Sequence, residues 1–147
     1  MSGADLVCAR LLQVTALTAI VADRVYALIL PQDGELPAVR VQAIDRNDPM
    51  HLRGTVGIIT ARVQVDHYAH RESGGDPLQT ARDMAAAAHG RFTGGVATGL
   101  AGWRGSIGGT QVDRIYLLVE REEFQAAELD EVRVMQDYEI TWRENAA

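Results

Sequence analysis

From Val132 to Arg143 the chain alternates without interruption. Val132, Val134, Gln136, Tyr138, Ile140 and Trp142 face one way; Arg133, Met135, Asp137, Glu139, Thr141 and Arg143 face the other. A period of two sustained over that length is a strand lying between a core and a polar surface, and no helical reading fits it. Val112 to Glu120 forms a strand before it. Earlier in the chain, after Pro37, Val39, Val41 and Ala43 alternate with Ala38, Arg40 and Gln42 as a half-buried strand. A longer one spans Thr55 to Tyr68. At about 3.3 Å per residue it would reach roughly 45 Å, so it either bends or projects from the body within a hairpin. Gly57 near its start favours a bend or a bulge.

Two helices accompany these strands. Val7, Leu11, Val14, Leu17 and Val21 recur at steps of three and four, a one-sided stripe on a helix from about Ala4 to Ala22, with Ser2 available as its cap. Arg10 and Gln13 fall off the stripe. The second helix has Asp76 at its N-cap, Pro77 at its first position and Gly90 just past its end. Leu78, Ala81, Met84, Ala85 and Ala88 lie between, and the run Ala85 to Ala88 makes one side thin enough to approach a sheet closely. The first helix leads into a short apolar stretch, Val25 to Leu30, and then into turn chemistry from Pro31 to Pro37. Residues 90–109 contain eight of the fourteen glycines and predict a long mobile loop carrying Trp103, Arg104 and Ile107. The order is α-β-β-α-β-β. It predicts one α+β domain over residues 1–147: a mostly antiparallel four-stranded sheet with two helices packed on one face.

Length and charge narrow the class. At 147 residues the chain suits a single core. Its net charge is −6, all its bases are arginines, and residues 1–119 are balanced with 11 acids and 11 arginines. Residues 120–131 alone contribute −5. A neutral body lacks the phosphate-neutralising surface of a nucleic-acid binder. No stretch approaches the roughly 18 apolar residues of a membrane span, and the opening residues predict no secretory signal. The one cysteine, Cys8, cannot form an internal disulfide, which fits a reducing compartment, and its helical position suggests packing rather than chemistry.

A search for reactive groups returns little. Asp66, His67 and His70 have the residue types of a metal site, but on a strand end Asp66 and His67 point to opposite faces, and exposed or loop histidines are the plainer reading. No serine sits in a GxSxG elbow. Arg104 to Gly109 has glycines and a serine but no lysine and no following helix, so it is not a phosphate loop. Trp103 either folds back onto the core or, with Arg104, anchors a neighbouring subunit. No metal, cofactor or catalytic residue is assigned.

Taken in order, Asp23-Arg24-Val25-Tyr26, Leu30-Pro31-Gln32, Pro37-Ala38-Val39, Val63-Gln64-Val65-Asp66, Tyr68-Ala69, the capped helix ending at Gly90 and the terminal Asp137-Tyr138-Glu139-Ile140-Thr141-Trp142 resemble the tail terminator (tail completion) proteins of long-tailed phages, prophages and gene transfer agents. The resemblance spans roughly Leu6 to Arg143. It implies a subunit of the virion tail, not an enzyme, that assembles into a homo-hexameric ring. Such a ring caps the tail tube protein, ends tube polymerisation and meets the head–tail connector protein. DNA would pass through it without specific binding. Candidate contacts with neighbours or the tube are Arg46, Met50 and Arg53 in the loop from Asp45 to Gly54, and Trp103, Arg104 and Ile107. Glu120, Glu122, Glu123, Glu128, Asp130 and Glu131 would face either the lumen, repelling phosphates, or the outer rim as a solvated connection. Another head–tail joining component, or a small ligand-binding or enzymatic α+β domain, is the alternative.

Overall fold

The computed structural model describes residues 2–31, 34–51, 54–55, 57–70, 76–124 and 131–144. Its first turn is set by a reciprocal cap. Ser2 Oγ accepts from Asp5 N at 3.1 Å and Asp5 Oδ2 accepts from Ser2 N at 3.1 Å, starting α1 (Gly3–Leu11). The helix expected over residues 4–22 does not run straight. It breaks after Leu11 and resumes as α2 (Thr15–Val21), bent by 86°. Val7, Leu11, Val14, Leu17 and Val21 are all buried, so bent and straight helices satisfy the same stripe. A straight helix would extend about 28 Å; the bend instead brings α2 back against α3 (Pro77–His89). At the N-cap of α2, Val14 makes no side-chain cap, so nothing local announces the restart. In α3 the expected signals hold: Asp76 Oδ1 accepts from Leu78 N at 3.0 Å, Pro77 opens the helix and Gly90, at φ 69°, closes it.

The strands in chain order are β1 (Val25–Ala27), β2 (Ala38–Asn47), β3 (Met50–His51), β4 (Gly54–Thr55), β5 (Ile58–His70), β6 (Phe92–Thr93), β7 (Val96–Ala97), β8 (Gly105–Ile107), β9 (Thr110–Phe124) and β10 (Glu131–Arg143). Six of them form one sheet in the order β1-β2-β5-β10-β9-β8. The four-stranded, two-helix expectation is therefore corrected: among the described residues there are a six-stranded mixed sheet and three helices. Two short strands account for the difference. Val25–Ala27 pairs parallel to β2, because the turn-rich stretch from Leu28 to Pro37 carries the chain back to the level where β1 began. Gly105–Ile107 pairs antiparallel with β9 through Gly108-Gly109, whose φ values of 54° and 83° suit a tight two-residue hairpin turn. Gly94-Gly95, at φ 62° and 78°, makes the same kind of turn between β6 and β7. The glycine-rich stretch is thus two hairpin turns rather than an unstructured loop, and a β3–β4 pair occupies part of the other expected loop.

The long strand neither stands alone nor projects. β10 pairs with β5 over all of Ile58–His70, and β2 pairs with it from Thr60 to Tyr68. Gly57, at φ 82°, makes the bend before it. Register shifts after Ala43 in β2 and in the β9–β10 pairing curl the sheet. Alternation sorts its two faces. Inward go Val39, Val41, Ile59, Ala61, Val63, Val65, Ile140 and Trp142, which meet Leu6, Val7, Leu11, Leu17, Met84 and Ala88 of the helices in one core. Outward go Arg–carboxylate pairs: Arg40–Asp66, Arg62–Asp137 and Arg133–Glu123.

These pairs differ in burial, and so in consequence. Asp66 is fully buried and held by Arg40 Nη2 at 2.7 Å and Gln64 Nε2 at 2.7 Å. Removing the guanidinium would strand a buried carboxylate, whereas Arg143, 61% exposed beside Asp113, is solvated already. Arg40→Met is expected to destabilise the fold by about 3 kcal/mol and Arg143→Met by less than about 1 kcal/mol, read from urea denaturation; equal costs would contradict this assignment.

Candidate assembly surfaces

A sheet covered by helices on one side leaves two other surfaces for contact: its outer face and its edges. The edges are open. β8 pairs only with Thr110–Val112, and no strand among the described residues pairs with the outer side of β9 beyond them. On this stretch Tyr116, Leu118 and Val119 are exposed, 36%, 40% and 37% respectively. At the opposite edge β1 covers only Val39–Val41 of β2, and Leu28 and Ile29 immediately after it are 64% and 71% exposed. Leu28 holds φ 76°, closed by an Ile29 N–H donating to Ala27 O at 2.9 Å. That is a positive-φ γ-turn, which a leucine side chain rarely adopts.

The residues singled out from the sequence fall in different places. Glu120, Glu122 and Glu123 lie on the end of β9, not in a loop. Glu120 accepts from Gln136 Nε2 at 2.8 Å, Glu122 from Arg82 Nε at 2.6 Å, and Glu123 from Arg133. Glu131 is half-buried at the start of β10, while Glu128 and Asp130 lie outside the described residues. Trp103 is half-buried and packs on the core, with the Arg10 guanidinium 4.8 Å above its ring. Arg104 is exposed and Ile107 is buried in the core cluster. Arg46 is exposed and reaches Glu144 at 3.2 Å. Met50 belongs to β3, and Arg53 lies outside the described residues.

Arg10 is a residue whose importance the sequence hid. It donates to Gly99 O at 3.1 Å and Ala97 O at 3.1 Å, and so ties the end of β7 and the residues after it to α1. Its position off the apolar stripe was the available signal, but a polar helix face carries many such arginines. Cys8 is partly buried, and desolvation pushes its thiol up to about 11, so it is a poor nucleophile at neutral pH.

His67 also departs from expectation: it is neither exposed nor in a loop but fully buried on the inward face of β5. Its Nε2 lies 2.8 Å from Gln136 Oε1, which also accepts from the Tyr138 hydroxyl at 3.0 Å. Gln136 Nε2 in turn donates to Ala85 O at 3.1 Å. Because both sides of the Gln136 amide are committed, the network assigns the proton to Nε2, and Nδ1 is left without a partner. A cleft of about 570 Å³ adjoins this node between α2, α3, β9 and β10, lined by Thr15, Ala85, Ala86, Leu117, Glu120 and Gln136 among others. Of its polar lining, which also includes Arg82, His89 and Arg91, Glu120 and Gln136 are engaged with each other and Arg82 with Glu122. Among the described residues no group of three or more His, Cys, Asp or Glu is placed to hold a metal ion.

The described residues thus present open apolar edges and an outer face of Arg–carboxylate pairs. Comparison with known proteins identifies the chain's class. The profile of the family described as tail completion protein gp17 matches residues 5–142, and the chain belongs to that family of structural phage-tail proteins, which are not enzymes. The resemblance read from the ordered residue set is thereby shown, and with it a place in the virion tail among other tail components. A chain in the solved structure titled virion of native gene transfer agent (GTA) particle shares the fold, with a TM-score of 0.63 and 16% identity over 94% of this chain and 92% of that one. A search of curated proteins finds no match.

The buried histidine gives a pH signature. Desolvation lowers its pKa from 6.5 to about 4, with the Gln136 hydrogen bond opposing. Between those values the unfolded chain binds a proton that the folded chain does not, so stability is full above pH 6.5 and falls as the pH drops toward 4. The loss is expected to be on the order of a few kcal/mol. Thermal melts at pH 7, 6 and 5 should show it, and His67→Leu should flatten the slope over that interval; an unchanged slope in the variant would remove His67 as the cause.

Proposed function

We propose that this chain forms a closed ring on the end of the tail tube, stops tube polymerisation and presents a surface to the head–tail connector protein. Family membership over residues 5–142 carries this reading. The two open edges at opposite ends of the sheet support it, since unlike surfaces on one subunit join head to tail and can close into a ring. A hexamer is the stoichiometry we propose, with DNA passing through the ring without specific binding.

For the acidic run we favour the rim. Glu122 is bonded to Arg82 and Glu123 to Arg133 within the same subunit, so less charge is left to repel phosphates than composition suggests. Arg46, Met50, Arg53 and Arg104 remain candidate contacts with the tube or connector.

Particles assembled without the chain should carry tubes of uncontrolled length, and adding purified protein should cap them at a uniform length, both read by electron microscopy. Sedimentation should show a species of several subunits, either free or on tubes. Tubes of normal length in its absence would refute termination, leaving another head–tail joining role.

A further inference from the structure

The rows of the sheet set the two open edges level with each other. Val25 pairs with Val39, Val39 with His67, His67 with Val134 and Val134 with Glu122; two rows on, Ala27, Val41, Val65, Gln136 and Glu120 align in the same way. Leu28 and Ile29 follow Ala27, where the pairing with β2 ends and the chain turns, and Val119 and Leu118 precede Glu120 on the far edge, so both apolar segments lie just beyond the row that joins Ala27 to Glu120. Across the sheet, β1 also runs antiparallel to β9. A second copy placed so as to continue the sheet would thus meet the first in antiparallel orientation, apolar segment against apolar segment. Arg24, whose carbonyl accepts from Val39 N, stands at the level of Glu122 and Glu123. These charged groups are held within their own subunit, Arg24 by Pro37 O at 2.9 Å and Glu35 at 3.5 Å and the two acids by Arg82 and Arg133, so apolar packing and not charge carries the pairing.

From this geometry we infer that neighbouring subunits join head to tail through these unlike edges, Leu28 and Ile29 of one copy packing against Tyr116, Leu118 and Val119 of the next. The inference rests on the ring reading above and specifies its interface. It accounts for a leucine held at φ 76° with two-thirds of its surface in solvent: nothing among the described residues covers it, and the neighbour's β9 edge would. It also accounts for the irregular register beside Leu118, which leaves that side chain displayed on an edge strand. An interface between two different surfaces propagates in one direction until rotation closes it, as a ring requires.

Cross-linking tests the pairing directly in full-length protein carrying Cys8→Ala, with cognate tail tubes present. Under oxidation, Ile29→Cys with Leu118→Cys in one chain should give a ladder of covalent oligomers up to the full ring. Either substitution alone should give none, and an equal mixture of the two single variants should give dimers only. In parallel, Ile29→Asp and Leu118→Asp, both at exposed positions, should retain the wild-type melting temperature while weakening self-association roughly tenfold or more. Mixed together they should form a dimer through their two intact edges. A double-cysteine variant that cross-links no better than the single ones, or aspartate variants that assemble like wild type, would overturn the interface and leave the ring standing. Wild-type protein that neither assembles nor caps tubes would overturn both.

Discussion

β10 is hydrogen-bonded along almost its whole length on both sides, to β5 and to β9, and the main sheet is built outward from that strand. Its inward residues form the floor of the core. Trp142, Ile140 and Tyr138 are fully buried in the same core cluster as the first helix, while Val134 and Val132 cluster with the alanines of α3. Gln136, in the middle of the row, is the polar exception. Its two amide ends hold His67, Tyr138, Ala85 and Glu120 together, so one side chain links both neighbouring strands and the covering helix. A buried network of this kind fixes register as well as burying surface: sliding β10 by one residue would expose the apolar row and leave the imidazole unpartnered.

The helices cover only one face, which imposes a second condition on the strands. The uncovered face must be polar, yet Asp66 and Asp137 lie low in a curled sheet and are almost wholly buried there. Each is met by an arginine from the adjoining strand, Arg40 and Arg62, so the charges needed to solvate the face are also satisfied across it. This explains why the arginines of β2, β5 and β10 sit at alternate positions and why a neutral body accommodates so many ions. The same logic continues at the tip of β9, where the acids that stand out in the sequence are partnered by Arg82 and Arg133.

Legibility follows the range of the interaction that decides each element. β10 and α3 could be read directly, since alternation in one and an Asp-Pro start with a glycine stop in the other are local signals. The break between α1 and α2 could not, because burial of Val14 is compatible with either path and the bend is imposed by packing on α3. β1 has three residues and gains its strand conformation only beside β2. β8 had a local signal after all: Gly108-Gly109 is a hairpin dipeptide, obscured by the abundance of glycine around it. Among the candidate contacts, Trp103 and Ile107 turn out to serve their own subunit, one beneath Arg10 and the other in the core. Leu28 and Ile29, more exposed than either, read in the sequence only as an apolar stretch before a proline.

An open apolar edge is ordinarily a hazard, and stable proteins shorten, charge or distort such edges to prevent indiscriminate pairing. This chain does all three, but incompletely. β1 is cut to three residues, β9 carries register irregularities, and the last turn of β9 is dense with carboxylates. What remains uncovered is a short apolar window at matching levels on the two sides, too small to template extended pairing and bounded by charge at one end. A window of that kind is selective because its two halves differ. Leu28 and Ile29 offer protruding side chains from a turn, with little free backbone ladder, whereas Tyr116 to Val119 offer a strand. Like edges gain little from meeting each other, and unlike edges gain both packing and direction. Direction is what separates a closed ring from an open aggregate, and in the proposed ring it would come from the order of strands across a single sheet.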